Sequence, residues 1–82
     1  MNKTLAHIKS GQQVIVQGIT DSTLKPKLME MGLVNGKAIT VLFKAPFGDP
    51  IAIDVQGYIL SLRLDEAKLI LVDTIHSSEE YT

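Results

Sequence analysis

LMEMGLVNG (residues 28–36) is the first of three junctions that decide the fold of this 82-residue chain. The second is APFGDPI (residues 45–51), and the third is LRLDEA (residues 62–67). We interpret them as a helix end that runs into a turn, a proline-bracketed turn before a strand, and a strand end that runs into a helical turn. Such junctions constrain a fold more than hydrophobic periodicity does, because Gly and Pro fix backbone angles that few other residues adopt.

The first junction ends a short helix that follows a strand. Residues 13–19 are rich in β-branched residues and predict that strand. Leu24, Leu28 and Met31 then lie at i, i+4 and i+7, which is the spacing of one apolar stripe along a helix. Gly32 is expected to end the helix in a left-handed conformation.

The second and third junctions separate short strands. Residues 38–44 predict a strand in which Ile39, Val41 and Phe43 face one way and Lys44 faces the other. Further strands are predicted at residues 51–55, 58–62 and 69–73. The connection Gln56-Gly57 predicts a hairpin between the first two of these, and residues 65–68 predict one helical turn before the last.

This order of elements predicts a mostly β protein. It contains about five strands, one short α-helix, and a single helical turn before the last strand, which is the layout of a small SH3-like β-barrel. We expect one domain over residues 1–75 and a polar C-terminal tail over residues 76–82, because a chain of this length has room for a single core.

Composition excludes several classes of function. The formal net charge is -1 and there is no polybasic run, which disfavours nucleic-acid binding and electrostatic attachment to membranes. The absence of cysteine excludes disulfides, thiolate metal sites and cysteine catalysis, and it favours the cytoplasm. The apolar runs are too short for a transmembrane helix, so we expect no direct membrane insertion.

No pattern in the sequence predicts catalysis, a bound cofactor or a metal site. His7 and His76 lie near the two ends and belong to no constellation. Ferrous iron prefers imidazole and carboxylate ligands held together, and neither Glu30 nor the pair Glu79-Glu80 supplies such a set. We therefore expect no enzyme activity, no cofactor and no intrinsic iron site.

Five residues are candidates for contact with a protein partner: Lys27, Met29, Phe47, Asp49 and Arg63. Met29 should face outward or lie at the edge of the apolar stripe, and methionine suits adaptable interaction surfaces. Phe47 lies at the tip of a proline-stiffened loop, which can bind at small entropic cost. Structural alternatives stay open: Met29 can be an edge residue of the core, the loop of Phe47 and Asp49 can be a simple turn, and Arg63 can form a local ion pair or support the helical turn.

The three junctions, taken together and in this order, resemble the FeoA family of bacterial ferrous-iron uptake. The resemblance runs from about Thr4 to Asp73 and includes Gly57 as well as the junctions. The chain departs from the family pattern at Asn35, where proline is usual, and at Lys27, where arginine is common.

The resemblance implies an SH3-like barrel that docks on the cytosolic side of the FeoB-type membrane GTPase transporter. It therefore implies a non-enzymatic accessory module, cytoplasmic and peripheral to the inner membrane through its partner. The alternative is an SH3-like regulatory domain related to the C-terminal domain of iron-dependent repressors, which would bind a proline-containing segment. Exposed strand edges also leave self-association open.

Overall fold

The computed structural model describes residues 3–75, which form one antiparallel sheet of six strands with two short helices. The strands are β1 (Lys3–Thr4), β2 (Gln13–Ile19), β3 (Ala38–Lys44), β4 (Ile51–Val55), β5 (Tyr58–Leu62) and β6 (Ile70–Thr74). The helices are α1 (Lys25–Glu30) and α2 (Leu64–Ala67), and two single 3₁₀ turns lie at Leu5–His7 and Pro46–Gly48. The strand order across the sheet is β1-β6-β2-β3-β4-β5.

The five predicted strands and both helical segments are confirmed, but the prediction of a closed barrel is wrong. Strand β1 was not predicted, because it is only two residues long and therefore carries no periodic pattern. Strand β1 pairs with one side of β6 and β2 pairs with the other, so β6 has no edge left for β5. The hydrogen-bonded sheet therefore stays open, with β1 and β5 at its two edges.

The side-chain alternation predicted for β3 holds in its first half and fails in its second. Ile39 and Val41 are buried as predicted, but a register shift lies between Val41 and Phe43 and adds one residue to the strand. Phe43 is consequently 55% exposed rather than in the core. Lys44 turns inward instead, and its Nζ donates to the carbonyl oxygens of Ala6 (2.9 Å) and Ile8 (3.2 Å).

One hydrophobic core joins the sheet to the helices. Its large members come from both halves of the chain, for example Leu5 and Leu28 from the first half and Ile53 and Leu62 from the second. Glu66 is the buried charged residue among residues 3–75. None of the helices in this range has the length and apolar character needed to cross a bilayer.

The predicted turns have the backbone conformations that their sequences require. Gly32 follows the end of α1 with φ of 95°, as expected for a left-handed helix end. Gln56 and Gly57 have φ of 51° and 115° and connect β4 to β5 directly. In that hairpin all five residues of β5 pair in unbroken register with β4.

Candidate partner-binding site

Three of the five predicted contact residues converge on the short helix α2. Lys27 reaches α2 from α1, Asp49 reaches it from the loop between β3 and β4, and Arg63 immediately precedes it. Residues that are far apart in the sequence therefore meet at one place. We call this place the α2 junction.

Glu66 lies at the centre of the α2 junction, although it was not among the predicted site residues. Its side chain is buried, and its two oxygens have different partners. Oε1 accepts a hydrogen bond from the backbone N–H of Arg63 (2.9 Å), and Oε2 accepts one from Lys27 Nζ (3.0 Å). A glutamate three residues after the residue that precedes a helix is half of a capping box, and this signal in LRLDEA could have found it.

The carboxylate of Glu66 is held in its ionised form. The backbone N–H of Arg63 lowers the pKa of Glu66 most strongly, and the hydrogen bond and charge of Lys27 lower it further. Burial acts in the opposite direction and is outweighed. The α2 junction is therefore a paired buried charge that links α1 to α2.

Asp49 fixes the loop between β3 and β4 against the α2 junction. Its Oδ1 accepts a hydrogen bond from the backbone N–H of Leu64 (3.2 Å), at the start of α2. Two backbone hydrogen bonds close the loop on itself, from Ala45 N to Pro50 O (3.0 Å) and from Gly48 N to Ala45 O (2.8 Å). The loop is thus stiff, as its prolines predict, and it is also anchored to a distant element.

Phe47 projects from this stiff loop with its side chain fully exposed to solvent, at 100% of its reference area. Its φ is 68°, a left-handed conformation that is uncommon for a bulky residue. A large aromatic side chain that is both solvated and backbone-strained gains nothing from its own fold. Such a residue is well suited to contact a partner.

Met29 lies on the outward side of α1 beside a shallow apolar groove. The groove has a volume of about 150 Å³. Its lining comes from the end of β2, from α1 and from the segment that follows α1: Gly18, Ile19, Lys25, Met29, Leu33, Val34 and Asn35. Met29 is 47% exposed and Val34 is 38% exposed, so these two side chains offer apolar contact area to a partner in the folded protein.

The side chain of Arg63 makes no hydrogen bond or ion pair with residues 3–75, although its backbone forms part of the α2 junction. Its backbone is extended, with φ of -77° and ψ of 157°, and its side chain is exposed. Arg63 therefore forms no salt bridge with the adjacent acidic residues, but its charge helps to lower the pKa of Glu66 and its backbone N–H supports the helical turn. The guanidinium group is available for an external carboxylate.

Within residues 3–75, no three His, Cys, Asp or Glu side chains are grouped so that they could hold a metal ion. His7 instead contacts Thr4 through Nδ1, at 3.3 Å from the backbone nitrogen and 3.1 Å from the hydroxyl. His76, Glu79 and Glu80 lie outside the described residues.

The open antiparallel sheet of six strands with two short helices defines a protein of the SH3-like fold class. The family model described as FeoA domain matches residues 3–74. The chain belongs to the FeoA family.

Relatives of known sequence or structure share most of this chain. A Porphyromonas gingivalis protein named as a fusion of Fe(2+) transport protein A and Fe(2+) transporter FeoB is 33% identical over 75 residues. That match covers 90% of this chain but spans only 9% of the length of the fusion protein. A solution structure of a FeoA-like protein from Clostridium acetobutylicum is 42% identical, covers 95% of this chain and 92% of its own, and superposes with a TM-score of 0.86.

The crystal structure of Stenotrophomonas maltophilia FeoA with zinc, described as a prokaryotic SH3 domain protein, is 28% identical with a TM-score of 0.78. It covers 87% of this chain and 89% of its own, which supports the SH3-like assignment. A manganese-dependent transcriptional repressor in complex with manganese has a TM-score of 0.83 at 19% identity. It covers 90% of this chain and 37% of its own. At that identity the likeness concerns the fold alone.

Proposed function

We propose that this chain is a non-enzymatic accessory module of ferrous-iron uptake that binds the cytosolic side of a FeoB-type membrane GTPase transporter and modulates it. The observation that carries the proposal is the Porphyromonas gingivalis fusion, in which a homologous domain and the transporter share one polypeptide. Covalent linkage raises the effective concentration of two binding modules, so fused domains often correspond to separate chains that associate. The module would be cytoplasmic and reach the inner membrane through this partner.

The proposed binding surface surrounds the α2 junction. Phe47 and Met29 supply apolar contacts from the stiff loop and from α1, and Arg63 supplies an exposed guanidinium group at the start of α2. Lys27 and Asp49 already have partners inside the molecule. We assign these two a smaller part in binding, at the rim of the surface, where charges affect association rate more than affinity.

The proposal is tested by calorimetric titration of this protein into the cytosolic GTPase domain of the transporter, with GDP and with a GTP analogue. We expect saturable binding to the wild type. The double variant Met29→Asp and Phe47→Asp should lose at least about tenfold in affinity, because apolar anchors carry most of the binding energy at interfaces. Aspartate tolerates a left-handed backbone, so the change at Phe47 should leave the loop intact.

The matched control is Leu42→Asp with Phe43→Asp, which places the same charges on exposed apolar residues of β3. Leu42 is 43% exposed and Phe43 is 55% exposed, close to the value for Met29. Unchanged affinity in this control, with loss in the first double variant, supports the assigned surface. Equal affinities for both double variants would contradict it, and absence of binding in either nucleotide state would contradict the proposed partner.

The second candidate function is an SH3-like regulatory domain that binds a proline-containing segment. The repressor likeness supports only a shared fold. The two candidates differ in a simple measurement: saturable binding to a proline-rich peptide, without binding to the GTPase domain, would favour the regulatory domain.

A further inference from the structure

The two edges of the open sheet differ in how well they are protected against pairing with another strand. Strand β1 has two residues, one of which is Lys3, and short charged edges resist further pairing. Strand β5 has five residues, Tyr58–Leu62, with no charge and no proline, and no register shift interrupts its pairing with β4. Such an edge lacks the devices that soluble proteins use to prevent strand addition.

The register of the β4–β5 hairpin shows which backbone groups point out of the sheet. A two-residue connection makes Val55 and Tyr58 a hydrogen-bonded pair, and the pattern alternates along the ladder. Ile59 and Ser61 are therefore in non-hydrogen-bonded positions toward β4, so their N–H and C=O groups point to the open edge. Both residues are exposed, Ile59 at 69%, and no other described residue hydrogen-bonds to either backbone.

We propose that β5 is a self-association edge, which pairs antiparallel with β5 of a second copy of this chain. Leu60 lies on the two-fold axis in the register that satisfies the free groups. Ile59 of each copy is then opposite Ser61 of the other, and about four backbone hydrogen bonds form across the axis. In a two-fold contact the same surface of each copy faces the other, so a charge on that surface would face a like charge. Strand β5 carries no charge and therefore avoids this repulsion.

Charge complementarity at the two ends of this contact supports a second copy as the occupant. In the same register Arg63 lies opposite Gly57 of the second copy. The N–H of Gly57 donates a hydrogen bond to the Asp54 carboxylate (3.0 Å), so Asp54 lies close to this position. Arg63 and Asp54 project to the same face of the sheet, since Arg63 follows Ile59 and Ser61 in alternation and Asp54 is opposite Ile59. Strand spacing places their Cα atoms about 12 Å apart across the contact, within reach of the two side chains. The contact would thus acquire two symmetric Arg63–Asp54 pairs.

A contact between two five-residue strands is smaller than the standard interface of a stable complex. We therefore expect a weak, reversible dimer that depends on protein concentration. This association does not depend on the proposed transporter partner, and it uses an edge rather than the residues assigned to partner binding, Arg63 excepted.

Sedimentation velocity over a range of protein concentrations tests the proposal. We expect monomer and dimer in the wild type, and a dissociation constant at least about tenfold larger for Ser61→Pro, which removes an outward N–H without touching the β4 ladder. Ile59→Lys should weaken the dimer similarly because it charges the edge. Leu42→Lys adds the same charge at an exposed position away from β5 and should leave the dimer unchanged.

The proposed ion pair is tested by reversal of its charges. Arg63→Asp should weaken dimerisation, and addition of Asp54→Arg in the same chain should restore it, with thermal melting to confirm that each variant is folded. A wild type that stays monomeric at all concentrations would overturn the proposal, as would a Ser61→Pro variant that is folded and dimerises like the wild type. Transporter binding by Ser61→Pro, measured separately, distinguishes failure of this inference from failure of the proposed function.

Discussion

The β4–β5 turn and the start of α2 each contain a hydrogen bond from a backbone N–H to a carboxylate three residues away. The two regions differ in whether that carboxylate also contacts a distant part of the chain. In the turn, Asp54 Oδ1 accepts from the N–H of Gly57 at 3.0 Å, and at α2 Glu66 Oε1 accepts from the N–H of Arg63 at 2.9 Å. Each carboxylate therefore satisfies a backbone donor three residues away. The bond of Asp54 stays within its hairpin, whereas Glu66 is 5% exposed and also binds Lys27, which lies 39 residues away.

Burial and a distant partner therefore decide whether such a carboxylate only closes a turn or also connects elements that lie far apart in the sequence. A half-exposed carboxylate can exchange its protein partner for water at little cost. A buried carboxylate loses more when its backbone donor is removed, because burial leaves little water to take the place of that donor. The variants below separate local closure from tertiary connection, in order of expected effect.

The largest difference is expected between two glycines, Gly32 beside α1 and Gly57 in the hairpin turn. Both have positive φ, 95° and 115°, so alanine is strained at either position. A Cβ at Gly57 would meet open space, but at Gly32 it would overlap the hydroxyl of Tyr58, which donates to the carbonyl of Met31. We expect Gly32→Ala to lower the free energy of unfolding by about 2–4 kcal/mol, against about 1–2 kcal/mol for Gly57→Ala.

Urea denaturation of the two variants measures this difference. Tyr58→Phe in the Gly32→Ala background removes the overlapping oxygen and should recover part of the loss. If both glycine variants were equally destabilised, the penalty would come from backbone strain alone, and the contact between the hairpin and the end of α1 would contribute nothing.

The next expected difference is between the amide variants of the two carboxylates, Glu66→Gln and Asp54→Asn. In Glu66→Gln, one amide oxygen can still accept from Arg63, but the amide NH₂ then faces the Lys27 ammonium group, donor against donor. We expect a loss of about 1.5–3 kcal/mol, the range for a buried hydrogen bond to a charged group. Asp54→Asn should cost about 1 kcal/mol or less, since its amide oxygen replaces the acceptor at a partly exposed position. Chemical denaturation at pH 7 checks both values, and equal losses would refute the distinction.

The lowered pKa of Glu66 also makes the stability of the protein depend on pH. The pKa of Glu66 is lowered from its ordinary value of 4.5, chiefly by the N–H of Arg63, so the unfolded chain binds its proton more readily than the folded protein does. The stabilisation is therefore fully present above pH 4.5 and is lost as the pH falls through the lower pKa of the folded state. Unfolding free energies of the wild type and Glu66→Gln should converge in this acidic range. A constant difference between them at all pH values would contradict the assignment.

Local signals in the sequence predicted the turns and most of the strands correctly. The features that were not predicted, β1 and the extra residue in β3, depend on contacts with distant parts of the chain. Gly32 and Gln56-Gly57 are positions where the residue type itself specifies the backbone, so their turns were predicted. The extra residue in β3 could not be predicted, because apolar residues continue through Leu42 and Phe43 without any break in the pattern. Strand β1 exists only because β6 has an edge to pair with.

The candidate site shows the same division. Its exposed members Met29 and Phe47 were predicted from local pattern and loop stiffness. The internal partners of Lys27 and Asp49 were not, because Glu66 and Leu64 come from a later part of the chain. The binding roles of all five predicted residues stay predictions.

The smallest effect on stability is expected for Lys27→Met, which keeps the length of the side chain and removes its charge. The Lys27 side chain is 60% exposed, and Glu66 keeps the stronger of its two stabilising contacts, the N–H of Arg63. We expect a loss of about 1 kcal/mol or less, because solvent screens an exposed ammonium group. A double-mutant cycle with Glu66→Gln measures the coupling energy between Lys27 and Glu66. A coupling energy of about 1 kcal/mol or less supports the view that the hydrogen bond between Arg63 and Glu66 is the main contact of Glu66. A loss as large as that of Glu66→Gln would instead make the Lys27–Glu66 ion pair the main connection between α1 and α2.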